Sequence, residues 1–142
     1  MGGGGSFQYA LHRPELFSSA CPLSASTGPL TLEDAKNWVK WINKDETAYT
    51  ESEIQSWFEK YSTTEYLKKM EVSEDNMKKV RWFIDCGDDD FLFEGNSLVH
   101  IAMRKKKIEH EFRVRNGGHS WTYWRASLPV VLEFVSDAFH QY

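Results

Sequence analysis

Val80-Arg81-Trp82-Phe83-Ile84-Asp85-Cys86-Gly87-Asp88-Asp89-Asp90-Phe91-Leu92 holds, in one stretch, a strand and the turn that ends it. The run from Val80 to Ile84 is mostly apolar and bounded by Gly87, which suits an interior strand of a parallel sheet, buried on both faces. The turn after it is acidic. A second unit has the same build. Ile108, His110, Phe112 and Val114 alternate with Glu109, Glu111, Arg113 and Arg115, the period-two pattern of a half-buried strand. Gly117-Gly118-His119-Ser120-Trp121 follows it directly. Two strand ends thus present first an acid and then an imidazole.

Outward from these strands the chain alternates. A helix from about Glu94 to Lys107 turns Leu98, Ile101 and Ala102 inward. A last helix from about Ser127 to His140 carries Val131, Leu132, Val135 and Phe139 as its inner stripe, with Pro129 acceptable in its first turn. Upstream, Ser6 to Arg13 reads as a helix with Phe7, Ala10 and Leu11 on one face, ended by Pro14. Leu16 to Ser24, interrupted by Pro22, suits a short buried strand, and residues 25–30 have a loop composition.

From Thr31 to about Asn76 the chain becomes helical and richer in charge. Thr31 can cap a helix in which Leu32, Ala35, Val39 and Ile42 share a face. Thr50-Glu51-Ser52-Glu53 is a capping box, followed by Ile54, Trp57, Phe58 and Tyr61 at helical spacing. Two such helices between strands predict an inserted cap over about residues 29–76, with its aromatic faces packed on the sheet. The expected order is helix, strand, two cap helices, strand, helix, strand, helix. That is an α/β fold with about three mainly parallel strands.

Composition sets limits. A chain of 142 residues fits one domain with a real core. Its six tryptophans suggest an aromatic-lined groove or capping segment. A net charge of −4 argues against nucleic acid, whose phosphates require a basic surface. The one basic run, Arg104 to Lys107, falls where cations complement a helix C-terminus. Cys21 and Cys86 are too few for a disulfide scaffold; they read as buried thiols, with a single bridge left open. No apolar run is long enough to cross a bilayer, and no signal peptide is evident.

The histidines and cysteines lack zinc spacing. Asp88-Asp89-Asp90 fails the calcium-loop pattern, because Leu92 stands where an Asp or Asn belongs. No metal or other cofactor is expected. Nor does any Gly-x-Ser-x-Gly occur. Ser6 is no substitute: it lacks the glycine two residues on and belongs to the first turn of a helix. Read from the residues alone, the acidic turn is more readily a solvated loop capping the next helix than a site.

Three stretches together carry a family likeness. Met1-Gly2-Gly3, with Ala10-Leu11 and Pro14-Glu15-Leu16-Phe17, resembles the segment just after a Gly-x-Ser-Met-Gly-Gly elbow. Cys86-Gly87-Asp88-Asp89-Asp90-Phe91-Leu92 is similar to an acid turn, and Gly117-Gly118-His119-Ser120-Trp121 with Trp124 to a histidine loop. In this order they resemble the C-terminal half of the esterase D, feruloyl esterase and tributyrin esterase group of α/β-hydrolases. The formal match of Met1 to Ser6 to a myristoylation signal is discounted on that ground.

The resemblance implies a partial α/β-hydrolase fold and a serine carboxylesterase working through a Ser-Asp-His triad. By it, Asp90 is the triad acid, with Asp89 as second choice, and His119 the general base. Met1 would give a backbone N–H to the oxyanion hole, and Gly2 would close the elbow, where a Cβ would collide. The serine would stand directly before Met1, so these residues alone should be nearly inactive. Trp121 and Trp124 are candidates to line an acyl pocket, or equally to brace the histidine loop. The implied partner is a small-molecule acyl ester; formylated thiols, short-chain triglycerides, acetylated sugars and feruloylated xylan all serve within the resembling families. A second reading, from another class, is a non-catalytic α/β module that binds or assembles. Half a sheet leaves an edge unpaired, which invites a homodimer.

Overall fold

The apolar run from Val80 becomes the middle of a parallel sheet. In the computed structural model, which describes residues 1–44, 49–71 and 79–140, the elements are α1 (Gly2–His12), β1 (Ser19–Ala20), α2 (Leu32–Asn43), α3 (Glu51–Tyr61), α4 (Thr63–Lys69), β2 (Arg81–Gly87), α5 (Phe93–Lys105), β3 (Glu111–Arg115) and α6 (Trp121–Asp137). The strand order is β1-β2-β3, with both pairings parallel. Every residue from Trp82 to Gly87 is buried, as a central strand covered on both faces requires.

The pleat of β2 splits the core in two. Trp82 and Ile84 face α1, α4 and α5, where Phe7, Leu11, Leu67, Val99 and Met103 are buried with them. Phe83 points the other way and packs with Val131 and Phe134 of α6. Each fully buried side chain of this size stabilises by about 1.5–3 kcal/mol relative to exposure. Helices on both faces of a parallel sheet give the expected α/β architecture, which positions the two strand-end loops side by side.

Several local readings shift. α1 starts at Gly2, not Ser6, because Gly3 and Gly4 press on the backbone of Leu23 to Ser26 and are held there as helix. β1 is only Ser19–Ala20, with one further bridge from Leu23 to Asp85 beyond Pro22, which has no N–H to give the ladder. On α5 the inner face is Asn96, Val99, Ala102 and Met103, while Ile101 is exposed. On β3, Ile108 just before the strand is buried but Val114 is exposed, since β3 lies at the sheet edge among the described residues.

α6 begins at Trp121 under a Ser120 cap, so Pro129 lies inside the helix. Its inner stripe is Tyr123, Ser127, Val131 and Phe134, and Leu132 and Phe139 are exposed. The stretch after Thr31 holds a third helix, α4, besides the two expected. Helices α2 and α3 keep a small cluster of their own, Ala35, Ile54 and Phe58, whereas Leu67 of α4 joins the main core. The helical reading toward Asn76 falls partly outside the described residues. Among the described residues, no helix is long and apolar enough to cross a membrane.

Candidate active site

β2 and β3 run in parallel and end at the same side, at Gly87 and Arg115. The loops that leave them stay joined. Asp88 N–H donates to Arg115 O at 3.1 Å, Asp89 N–H to Gly117 O at 3.1 Å, and Gly117 N–H to Asp88 Oδ1 at 3.0 Å. So close an approach needs glycines. A Cβ on Gly87 would lie 1.9 Å from Gly117 O, and Gly117 adopts φ +141°, where a Cβ would meet the Tyr123 ring at 2.8 Å. Only glycine adopts that conformation at low cost.

Joined in this way, the loops bring Asp90 to His119. Nδ1 of His119 lies 3.0 Å from Oδ2 and 3.2 Å from Oδ1 of Asp90. Against a carboxylate, the tautomer that bonds is the one with its proton on Nδ1, which leaves Nε2 as a base. Asp90 is 4 % exposed, and its Oδ1 also accepts the Leu92 N–H at 2.9 Å. Asp88 and Asp89 are exposed, and their recorded bonds go to the loop backbone. Burial and geometry single out Asp90 among the three acids of the turn.

Aromatic rings hold the imidazole. The Phe91 centroid lies 4.9 Å from it, and Trp124 meets it edge-on at 4.8 Å. The Trp124 indole N–H donates to Ser24 Oγ at 2.9 Å. Ser24 sits just past β1 in a left-handed conformation, φ 43°, with its own N–H on Asp85 O at 2.8 Å. A non-glycine residue there is uncommon, and it ties the tryptophan to both β1 and β2. Trp121, by contrast, is exposed and touches Trp124 edge-on at 5.3 Å. Trp124 therefore braces the imidazole, and Trp121 stands outside that contact.

Beneath the loops lies a polar cluster that sequence reading missed. Asp85, on β2 and buried, pairs with Arg115 Nη2 at 3.2 Å, and Arg115 also donates to Ser127 Oγ. The Arg115 guanidinium sits 4.6 Å from the Tyr123 ring centroid. Burial first, and then the Asp85 carboxylate, push the Tyr123 phenol far up. In the sequence, the one sign of it is the Arg that closes an alternating strand. Cys86 is buried and pushed up to about 12 by burial, with Asp90 and Asp85 adding; Cys21 is pushed up to about 11, also chiefly by burial. Both thiols are free, so no bridge joins them.

Met1 caps α1 and is exposed. At Gly2 a Cβ would meet nothing within 4 Å; the crowding falls on Gly3 and Gly4, which face Leu23 to Ser26. That same segment carries Ser24, so the start of α1 connects through Ser24 and Trp124 to His119. Among the described residues, no three His, Cys, Asp or Glu side chains gather as a metal site.

The likeness to known proteins agrees with this architecture. A ferulic acid esterase structure matches at 31 % identity and TM-score 0.72, over 95 % of this chain and 47 % of that one. An S-formylglutathione hydrolase from Staphylococcus aureus matches at 25 % identity and TM-score 0.65, over 95 % and 51 %. A fluorophosphonate-binding serine hydrolase of Staphylococcus aureus, at 22 % identity and TM-score 0.64 over 94 % and 51 %, shares the fold. The chain thus spans about half the length of these structures. The curated proteins contain no match to it. The family model described as "Putative esterase" matches residues 1–135, and the chain, built as part of an α/β-hydrolase fold, belongs to that esterase family.

Proposed function

We propose that the chain supplies the acid and the base of a serine carboxylesterase, with His119 as general base and Asp90 as the group that orients it. The observation that carries this reading is the 3.0 Å approach of Asp90 Oδ2 to His119 Nδ1 beyond the ends of two adjacent parallel strands. Sites of such folds lie at that edge of the sheet. In this role Nε2 takes the proton of a serine hydroxyl as the oxygen bonds to the ester carbonyl, and returns it to the leaving alkoxide as the ester C–O bond breaks. Water then repeats the sequence on the acyl-enzyme, and the acid leaves. Asp90 fixes the tautomer and stabilises the imidazolium.

None of the 142 residues stands in a Gly-x-Ser-x-Gly turn. The nucleophile is assigned to a serine directly before Met1 in a complete esterase, with the Met1 N–H in the oxyanion hole and Gly2 closing the elbow. Of the stretch from residue 29 to 76, α2 and α3, which keep a buried cluster of their own, serve as the cap. The substrate is a small acyl ester, and the 142 residues alone turn it over at no more than a residual rate. The edge of β1 that no strand among the described residues pairs with is where the sheet continues, in the rest of an esterase or, for the chain alone, in a second copy.

The test joins these residues to an esterase N-terminal half ending in Gly-x-Ser and follows p-nitrophenyl acetate. His119→Ala is expected to lower kcat by about 10⁶-fold and Asp90→Asn by about 10⁴-fold, while Asp89→Asn stays near the parent rate. Full turnover in His119→Ala, or a burst from the 142 residues alone, would end this reading.

A further inference from the structure

One cation beneath the loops ties together the segments that bear the acid and the imidazole. Arg115 closes β3, shortly before His119, and Asp85 lies on β2, shortly before Asp90. Nη2 of Arg115 donates to Asp85 Oδ2 at 3.2 Å and also to Ser127 Oγ of α6. Its guanidinium lies 4.6 Å from the ring centroid of Tyr123, on the same helix. The Arg115 carbonyl accepts the Asp88 N–H at 3.1 Å. The Tyr123 ring, in turn, is the wall at which the two loops meet. A Cβ on Gly117 would lie 2.8 Å from that ring, and one on Gly87 3.3 Å from it. Ser120, next to His119, accepts the Tyr123 N–H at 3.3 Å, so ring and imidazole share the first turn of α6 and its cap.

Stability alone does not account for an ion pair in this place. Asp85 is 2 % exposed, whereas the Arg115 side chain keeps part of its surface in water. The carboxylate has given up its hydration and depends on that guanidinium for a counter-charge. An apolar pair of the same volume commonly holds a fold as well. What the guanidinium adds is direction, because a planar group that pairs, donates and stacks at once is fixed in orientation. We propose that Arg115 is a positioning residue of the acid–imidazole pair. Held by Asp85, it sets the Tyr123 ring against Gly87 and Gly117, and through them the distance from Asp90 to His119 Nδ1. The inference rests on the roles given above to Asp90 and His119.

The test reads the His119 Nδ1–H proton by imidazole ¹H–¹⁵N NMR of the 142-residue chain, beside urea unfolding of each variant. Asp90→Ala, which removes the acceptor, gives the spectrum of the ring without its bond. Arg115→Met leaves Asp85 without a cation, so the urea midpoint should fall and the Nδ1–H signal should be lost. Asp85→Asn combined with Arg115→Met removes both charges. That double variant should regain most of the midpoint, yet keep the spectrum of Asp90→Ala. Arg115→Lys keeps a cation for Asp85 but no flat group against Tyr123; it should fold near the parent with a weakened signal. In the joined esterase the double variant should lower kcat by about 10- to 100-fold with KM unchanged, as a displacement of about 1 Å does. Arg113→Met, at a surface pair with Glu111, should alter neither signal nor rate. A parent-like Nδ1–H signal in the folded double variant or in Arg115→Lys overturns the proposal. The reading of the active site fails separately, if His119→Ala leaves turnover of the joined esterase intact whatever the Arg115 variants do to the signal.

Discussion

At the scale of single residues, Gly87 and Gly117 set the geometry on which the rest depends. The two loops meet because the backbone of one passes where the other would carry a side chain. Gly87→Ala would put a methyl 1.9 Å from a carbonyl oxygen that itself holds the Asp89 N–H. The neighbour is backbone and cannot swing aside, so the loops must part. Urea unfolding should show a loss of at least about 2 kcal/mol for Gly87→Ala, and Asp90 and His119 should separate with it. Gly118→Ala is the control. Its nearest neighbour lies at 3.6 Å, an ordinary contact, and its stability should stay within about 0.5 kcal/mol of the parent. Equal effects at the two positions would show that the close approach is not what holds the pair. The same scale shows why sequence alone could not choose among Asp88, Asp89 and Asp90. The three share a residue type and adjacent positions, and they differ in burial, which is a product of the folded turn. Trp124 was ambiguous for a like reason, since its partner Ser24 lies far away in the chain and carries no signal of its own.

At the scale of elements, the readings that held were those carried by local chemistry. Thr31 with Asp34 and Thr50 with Glu53 both form capping boxes, satisfying helix N–H groups that nothing else would. Both strands of the β2–β3 pair were visible as period and composition. The readings that moved were those set by neighbours. Glycine is a poor helix former, so residues before Ser6 gave no sign of the helix that the Leu23–Ser26 backbone permits there. The sequence turns Leu98 and Ile101 inward because α5 alone does not say which of its faces meets the sheet; the buried face runs along Asn96, Val99, Ala102 and Met103, and of the expected stripe Ala102 alone lies on it. The α3 cap gives a prediction of its own. Thr50→Ala should cost about 1 kcal/mol in thermal or urea unfolding. The Glu53 carboxyl is held below its ordinary value of 4.5 by the Thr50 backbone N–H first and its hydroxyl second. A depressed carboxyl contributes its stabilisation above that ordinary value and loses it as pH falls through the lower folded value. The deficit of Thr50→Ala should therefore shrink in acid below that range. A deficit that stayed constant down to strongly acidic pH would mean that the Glu53 carboxylate takes no part in the cap.

At the scale of the whole molecule, the sheet is open. β1 pairs with β2 along one edge, and among the described residues no strand pairs with its other edge. Beside that edge lies a recess of about 540 Å³ lined by Tyr9, Ala10, Phe17 and Ala20, with Tyr9 68 % exposed. The opposite edge is better defended. Arg113 of β3, paired with Glu111 at the surface, puts charge toward solvent there, a common way to discourage strand addition. The two edges therefore differ in what they invite, and association should run through β1. Sedimentation of the 142-residue chain should show a weight that rises with concentration. Phe17→Lys should return it toward monomer, because the new ammonium would have to be desolvated inside the contact. Val114→Lys, on the already charged edge, should leave the profile as it was. If the chain stays monomeric throughout, or if Val114→Lys alone dissociates it, the β1 edge is not where the sheet extends.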